Sequence, residues 1–166
     1  EVGETQMGRW GKCKLLTIGF GHGIATTLLQ LTKGYSIVSN GGFQVSPTLI
    51  QREEYKNSKR ILNEEVSIKL NPILRKIVST KEGTAGFANV KGYEIGGKTG
   101  TADIAASGGY SKKKINTFAA VFPVSKPKFI LVVMLDEPKA NKEFVYHYRD
   151  GRPSYKGNWR NTAGWT

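Results

Sequence analysis

At 166 residues, 39% apolar and 23% charged, the chain has the composition of one globular domain able to bury about two-thirds of its unfolded surface, which excludes a disordered segment. A formal charge of +12 raises an anionic partner, but the basic residues are scattered over turn-rich stretches at 56–60, 112–114, 126–128 and 149–160 with no arginine-rich helix, which argues against nucleic acid. No apolar run reaches membrane-spanning length, the single cysteine, Cys13, allows no internal disulfide, and His22 and His147 offer no zinc-ligand spacing, so neither a metal nor another cofactor is expected. The chain starts on Glu1-Val2-Gly3, as an excised or processed piece would.

Little is periodic over residues 1–14; Trp10 and Leu15-Leu16 are expected to pack against the rest, and Gly19-Phe20-Gly21-His22-Gly23 reads as a loop. A helix follows. Thr26 or Thr27 is placed to cap it, Leu28, Leu31, Tyr35 and Val38 recur at helical spacing, and Asn40-Gly41-Gly42 stops it in a left-handed turn. Residues 43–51 read as an extended segment in which Pro47 implies an edge or bulge, and 52–63 as a polar surface loop. Ser67 is the expected cap of a second helix over 68–78, with Leu70, Ile73, Leu74 and Ile77 as its apolar stripe and Pro72 near its first turns.

After Gly83 the pattern changes to strands, expected over 93–102, 117–122 and 129–135, the last long and β-branched enough to be a buried strand. Ser107-Gly108-Gly109 and Val124-Ser125-Lys126-Pro127 supply turns for an antiparallel three-stranded meander, with Lys112-Lys113-Lys114 expected at a solvated hairpin tip. Beyond Pro138 no regular element is read.

The chemistry concentrates in Lys98-Thr99-Gly100-Thr101, directly after Gly96-Gly97. Side chains alternate along a strand, so Thr99 and Thr101 share one face and present two hydroxyls to an anion, while Lys98 leaves from the other face and must bend round the strand edge. Gly100 removes a side chain where a peptide-like substrate would add itself as an extra strand through main-chain hydrogen bonds. These features describe a site that holds a small carboxylate beside an acyl group. A lysine and two threonines on an ordinary strand are the bland alternative.

With Ala102 the run Gly96-Gly97-Lys98-Thr99-Gly100-Thr101-Ala102 resembles the Lys-Thr-Gly signature of serine β-lactamases and penicillin-binding proteins. Phe118-Ala119-Ala120-Val121-Phe122-Pro123, Val132-Val133-Met134-Leu135-Asp136-Glu137-Pro138, Thr17-Ile18-Gly19-Phe20-Gly21, Leu29-Gln30-Leu31 and Ser39-Asn40-Gly41-Gly42 extend the resemblance to class B penicillin-binding proteins. Asp136-Glu137-Pro138 and the Ala163-to-Thr166 ending are more similar to the septal, cell-division transpeptidases than to those of cell elongation, and residues 141–160 match least. The resemblance implies an α/β (α+β) fold of the penicillin-recognising, serine β-lactamase-like type, an antiparallel sheet flanked by helices.

Members carry a nucleophilic serine in Ser-x-x-Lys and a Ser-x-Asn triplet upstream of the matching segment, and a terminal helix downstream. Residues 1–166 are therefore expected to be the C-terminal portion of a transpeptidase domain, inactive alone. Ser111-Lys-Lys-Lys114 and Ser125-Lys-Pro-Lys128 match Ser-x-x-Lys as strings but read as polar turns, not as the head of a buried helix where a lysine could be desolvated into a base. Tyr55-Lys56-Asn57 resembles a Tyr-x-Asn triplet but lies in a charged loop, and neither histidine nor Cys13 sits in a nucleophile motif.

For the intact enzyme the resemblance implies cross-linking of peptidoglycan stem peptides ending in D-Ala-D-Ala, and capture of β-lactams as an acyl-serine. Lys98, Thr99, Gly100 and Thr101 would bind substrate. Lys98 and Thr101 would be catalytic, the first as proton relay or electrostatic anchor, the second through a backbone N–H oxyanion donor, a group worth about 3 kcal/mol of barrier. Division-machinery proteins are implied partners. The implied location is the inner membrane with the catalytic domain on the periplasmic side, the anchor lying outside this chain. Three alternatives stand: a non-catalytic penicillin-recognising sensor, a basic module for anionic polymers, and a β-lactamase, for which no deacylating carboxylate is placed.

Overall fold

The structure, a computed structural model, describes residues 14–19, 21, 24–51, 59–106, 109–139, 145–149 and 152–156. By packing, the chain divides into one unit of Glu1–Thr99 with Phe118–Met134 and a second of Gly100–Thr117 with Leu135–Thr166. The elements in order are helices α1 (Lys14–Gly19), α2 (Leu28–Ser39) and α3 (Glu64–Ser79), a 3-10 turn (Gly86–Ala88), and strands β1 (Gly96–Ala106), β2 (Gly109–Phe122), β3 (Phe129–Asp136), β4 (Val145–Arg149) and β5 (Arg152–Lys156). Strands β1, β2 and β3 form a sheet in that order, and β4 and β5 form a separate two-stranded sheet.

In the first unit, α2 starts where its sequence directs. The Thr27 hydroxyl accepts the Gln30 N–H at 3.1 Å while the Gln30 side chain accepts the Thr27 N–H at 3.0 Å, a reciprocal cap. The helix ends at Gly41 and Gly42, with φ of +88° and +87°. A Cβ on Gly42 would lie 2.1 Å from the Leu62 carbonyl oxygen, so this glycine lets the chain before α3 cross closely. The expected packing of Leu16 does not occur; it is 72% exposed on α1, a short helix that no periodicity announced.

Ser67 is not a cap. Helix α3 begins earlier, at Glu64, because the Asn63 side chain accepts the Glu65 N–H at 3.0 Å and Glu64 and Glu65 suit the positive end of the helix dipole. Buried inside α3, the Ser67 hydroxyl donates to the Val38 carbonyl at 2.7 Å and accepts the Gly41 N–H at 2.9 Å, and Asn71 Nδ2 donates to the Ser39 carbonyl at 3.1 Å. These bonds join the end of α2 to α3. Pro72 lies in the middle of α3, not in its first turns.

The core of this unit is Leu74, Val121 and Val124, with Tyr35, Leu70, Ile77 and Ile130 packed on it. Burial raises the Tyr35 pKa. The apolar stripe of α3 thus runs through Leu70, Leu74, Ile77 and Val78, and Ile73, expected in it, is 53% exposed. Strand β3 is not the buried strand its composition suggested. It is at one side of the three-stranded sheet, Ile130 meets the core, and Phe129 is 59% exposed, although its ring lies 5.4 Å from that of Phe122.

In the second unit, β2 already begins at Gly109, so Lys113 and Lys114 stand along a strand and not at a hairpin tip. Lys113 Nζ meets Glu137 Oε1 at 2.7 Å and Lys114 Nζ meets Asp103 Oδ1 at 2.5 Å. The hydrogen bond to Glu137 raises the Lys113 pKa. Strands β4 and β5 pair antiparallel, from Val145 opposite Lys156 to Arg149 opposite Arg152, a hairpin where no element was expected. His147 falls on β4. Cys13, Trp10, His22, Tyr55-Lys56-Asn57, Ser107-Gly108 and Ala163 to Thr166 lie outside the described residues.

Candidate active site

Strand β1 is positioned before it begins. Arg75, on α3 beside the core residue Leu74, donates from Nη1 to the Ile95 carbonyl at 2.7 Å and from Nη2 to Asn89 Oδ1 at 3.0 Å. The Val124 N–H donates to the Glu94 carbonyl at 2.8 Å. The Glu94 carboxylate accepts the Ser125 hydroxyl and, at 3.2 Å, the Ser125 N–H. The hydroxyl, then the N–H, then the field of Arg75 hold the Glu94 carboxyl below its ordinary pKa. Ser125 thus sits in the bend between β2 and β3 with its hydroxyl engaged, not at the head of a helix as a nucleophile in Ser-x-x-Lys would be. The side chain of Ser111, head of the other such string, is outside the described residues.

Both glycines before the lysine are dictated by contact. A Cβ on Gly96 would come 2.7 Å from Val124 Cγ2 and 3.0 Å from the Arg75 backbone nitrogen; one on Gly97 would come 2.6 Å from the Ala119 carbonyl oxygen. Without them β1 could not lie this close to α3 and β2. The side chain of Lys98 is exposed, and its Nζ donates to the Thr99 carbonyl at 2.6 Å, within its own strand. Thr99 is half-buried and its hydroxyl lies 2.9 Å from that of Thr84. Gly100 has a neighbour on β2: a Cβ there would come 2.5 Å from Thr117 Oγ1. The missing side chain is therefore accounted for by Thr117 rather than by space left for a peptide. Thr101 is exposed.

All four sequence-predicted residues lie on β1, which among the described residues has a strand partner, β2, on one side only. Its other edge offers main-chain hydrogen-bonding groups to an added strand. Sequence reasoning missed Arg75, Glu94, Ser125 and Thr84, which hold the strand or its side chains from outside. Only the Gly83-Thr84 pair, punctuating the end of α3, hinted at the last of them.

Residues 2–151 match the penicillin binding protein transpeptidase domain. The chain belongs to that family. It is 33% identical over 148 residues to the peptidoglycan D,D-transpeptidase FtsI of Buchnera aphidicola, covering 85% of this chain and 25% of that protein. It is 31% identical over 135 residues to the probable peptidoglycan D,D-transpeptidase PenA of Neisseria flavescens, covering 80% and 33%. Among solved structures, the apo transpeptidase domain of penicillin-binding protein 3 from Burkholderia pseudomallei superposes with a TM-score of 0.75 at 26% identity, over 82% of this chain and 42% of that one. Penicillin-binding protein 3 of Mycobacterium tuberculosis, complexed with aztreonam, gives 0.71 at 29% identity, over 88% and 35%. The fold is thus the mixed α/β penicillin-binding-protein transpeptidase fold read from the sequence, of which this chain is a part: it spans 25% to 33% of the length of these two curated relatives.

Proposed function

We propose that the protein carrying this chain is a serine peptidoglycan D,D-transpeptidase, and that β1 is the wall on which its substrate lies. The observation that carries the reading is Lys98-Thr99-Gly100-Thr101 on a strand with one open edge, in a chain whose family match covers residues 2–151. The Thr99 and Thr101 hydroxyls, assisted by the Lys98 ammonium, hold the terminal carboxylate of a D-Ala-D-Ala stem peptide. The Thr101 N–H supplies one of two oxyanion donors.

The nucleophilic serine and the Ser-x-Asn triplet belong to sequence outside these 166 residues. That serine's oxygen attacks the penultimate D-alanine carbonyl, the carbon–nitrogen bond to the last D-alanine breaks, and the serine proton passes to the leaving amine. An amine of a second stem peptide then attacks the ester, restoring the serine and forming the 4,3 cross-link. A β-lactam acylates the same serine. The septal role, an inner-membrane anchor with the domain in the periplasm and partners in the division machinery belong to this reading; FtsI names among the relatives and Asp136-Glu137-Pro138 support the first of these. The basic-module alternative loses two of its cations, since Lys113 and Lys114 face Glu137 and Asp103.

The test is made on the intact protein. Labelled penicillin should attach covalently, and a pentapeptide donor should release D-alanine and yield cross-linked product. Labelling without D-alanine release would identify a sensor, labelling with rapid deacylation a β-lactamase, and no labelling would remove the reading.

A further inference from the structure

The turn after α3 is fixed more tightly than its exposure requires. The Gly83 N–H donates to the Thr80 carbonyl at 3.1 Å and the Ala85 N–H to the Ile77 carbonyl at 3.2 Å, while the Ala85 side chain is buried. A Cβ on Gly83 would lie 2.0 Å from the Ile77 carbonyl oxygen, so residue 83 must be glycine for the turn to sit against the helix end. Between these two anchors stands Thr84, its Oγ1 2.9 Å from Thr99 Oγ1.

We infer that Thr84 is a positioning residue for the substrate carboxylate, acting through Thr99. The inference rests on the reading of β1 as the carboxylate-binding strand. A carboxylate only accepts hydrogen bonds, so Thr99 must donate its single proton to it, and the hydrogen bond between the threonines must then run from Thr84 to Thr99. The result is an ordered chain, Thr84 hydroxyl to Thr99 hydroxyl to carboxylate, in which each bond polarises the next. Thr84 holds the Thr99 hydroxyl in place before substrate arrives and takes the donor role once the carboxylate is bound, without touching the substrate itself.

The experiment compares acylation of the intact protein by benzylpenicillin and by its methyl ester, which lacks the anionic carboxylate. Thr84→Val should slow acylation by benzylpenicillin about five- to tenfold, the worth of one net hydrogen bond, and leave the ester rate unchanged. Thr84→Ala, a second hydroxyl-free variant, should behave likewise, and Thr84→Ser should restore the wild-type rate. A wild-type rate with benzylpenicillin in the hydroxyl-free variants, or equal loss on both probes, overturns the inference. Thr99→Val locates the fault: if it also shows no carboxylate-specific loss, the reading of β1 fails and the inference with it; if it does, Thr84 alone is excluded.

Discussion

Around Gly96 and Gly97 the first unit leaves no room for a methyl group, whereas one residue further along β1 the Lys98 side chain is exposed and bonded to the carbonyl of its neighbour. The same strand is thus clamped at its start and open along its edge. Leu74, Val121 and Val124 pack beneath the clamp, Arg75 and Ser125 grip residues 94 and 95, and the bonds of Ser67 join α3 to α2. In this unit the open part is held by the contact of Thr99 with Thr84 and by the bond of Lys98 to the Thr99 carbonyl. A rigid support under a sparsely bonded edge is what pre-organised binding needs, because the groups that meet a ligand then require no reorganisation.

The clamp is most sensitive to substitution at its glycines. Gly97→Ala places a Cβ against the Ala119 carbonyl and should destabilise the intact protein by about 3 kcal/mol, near the upper range for overpacking, seen as a lower denaturation midpoint in urea. An unchanged midpoint would mean that β1 is not held where the structure places it. Ser67→Ala removes one donor and one acceptor between α2 and α3 and leaves the half-buried Gly41 N–H and Val38 carbonyl underpaired, for a loss of about 2 kcal/mol in the same titration. Asn63→Ala removes the cap of α3 and should cost about 1 kcal/mol, whereas a cap role for Ser67 would have made residue 63 indifferent.

The smallest effect concerns pH. Because the Ser125 hydrogen bonds hold the folded Glu94 carboxyl below its ordinary pKa of 4.5, the contact adds stability that is fully present above that value and is lost as pH falls through the lower folded pKa. Glu94→Gln should therefore lower the melting temperature slightly at neutral pH, and the gap from wild type should close in acid. A gap independent of pH below 4.5 would exclude Glu94 as the titrating group.

The sequence was legible where one residue has one local job. Thr27 with Gln30 caps a helix in any context, and Gly41-Gly42 ends it, so both ends of α2 were readable. Ser67 misled because a serine near the start of an apolar stripe reads as a cap, while its real partners, Val38 and Gly41, are distant in the chain. Ile73 fits helical spacing yet lies off the buried face, and β3 shows that β-branching does not decide which face meets a core. The motif on β1 was visible as a string. Its supports were not: Arg75 on Ile95, Ser125 on Glu94 and Thr84 on Thr99 are side chains brought in from separate elements, with no spacing to betray them.

The most direct measurement is the rate at which labelled penicillin acylates the intact protein carrying Lys98→Ala, alongside its unfolding midpoint. Lys98 is exposed and outside the clamp, so the midpoint should stay within about 0.5 kcal/mol of wild type while acylation falls to background. Acylation at a near-normal rate in a folded variant would remove Lys98 from the chemistry and contradict the assignment of this strand edge as the place where a cell-wall peptide is held.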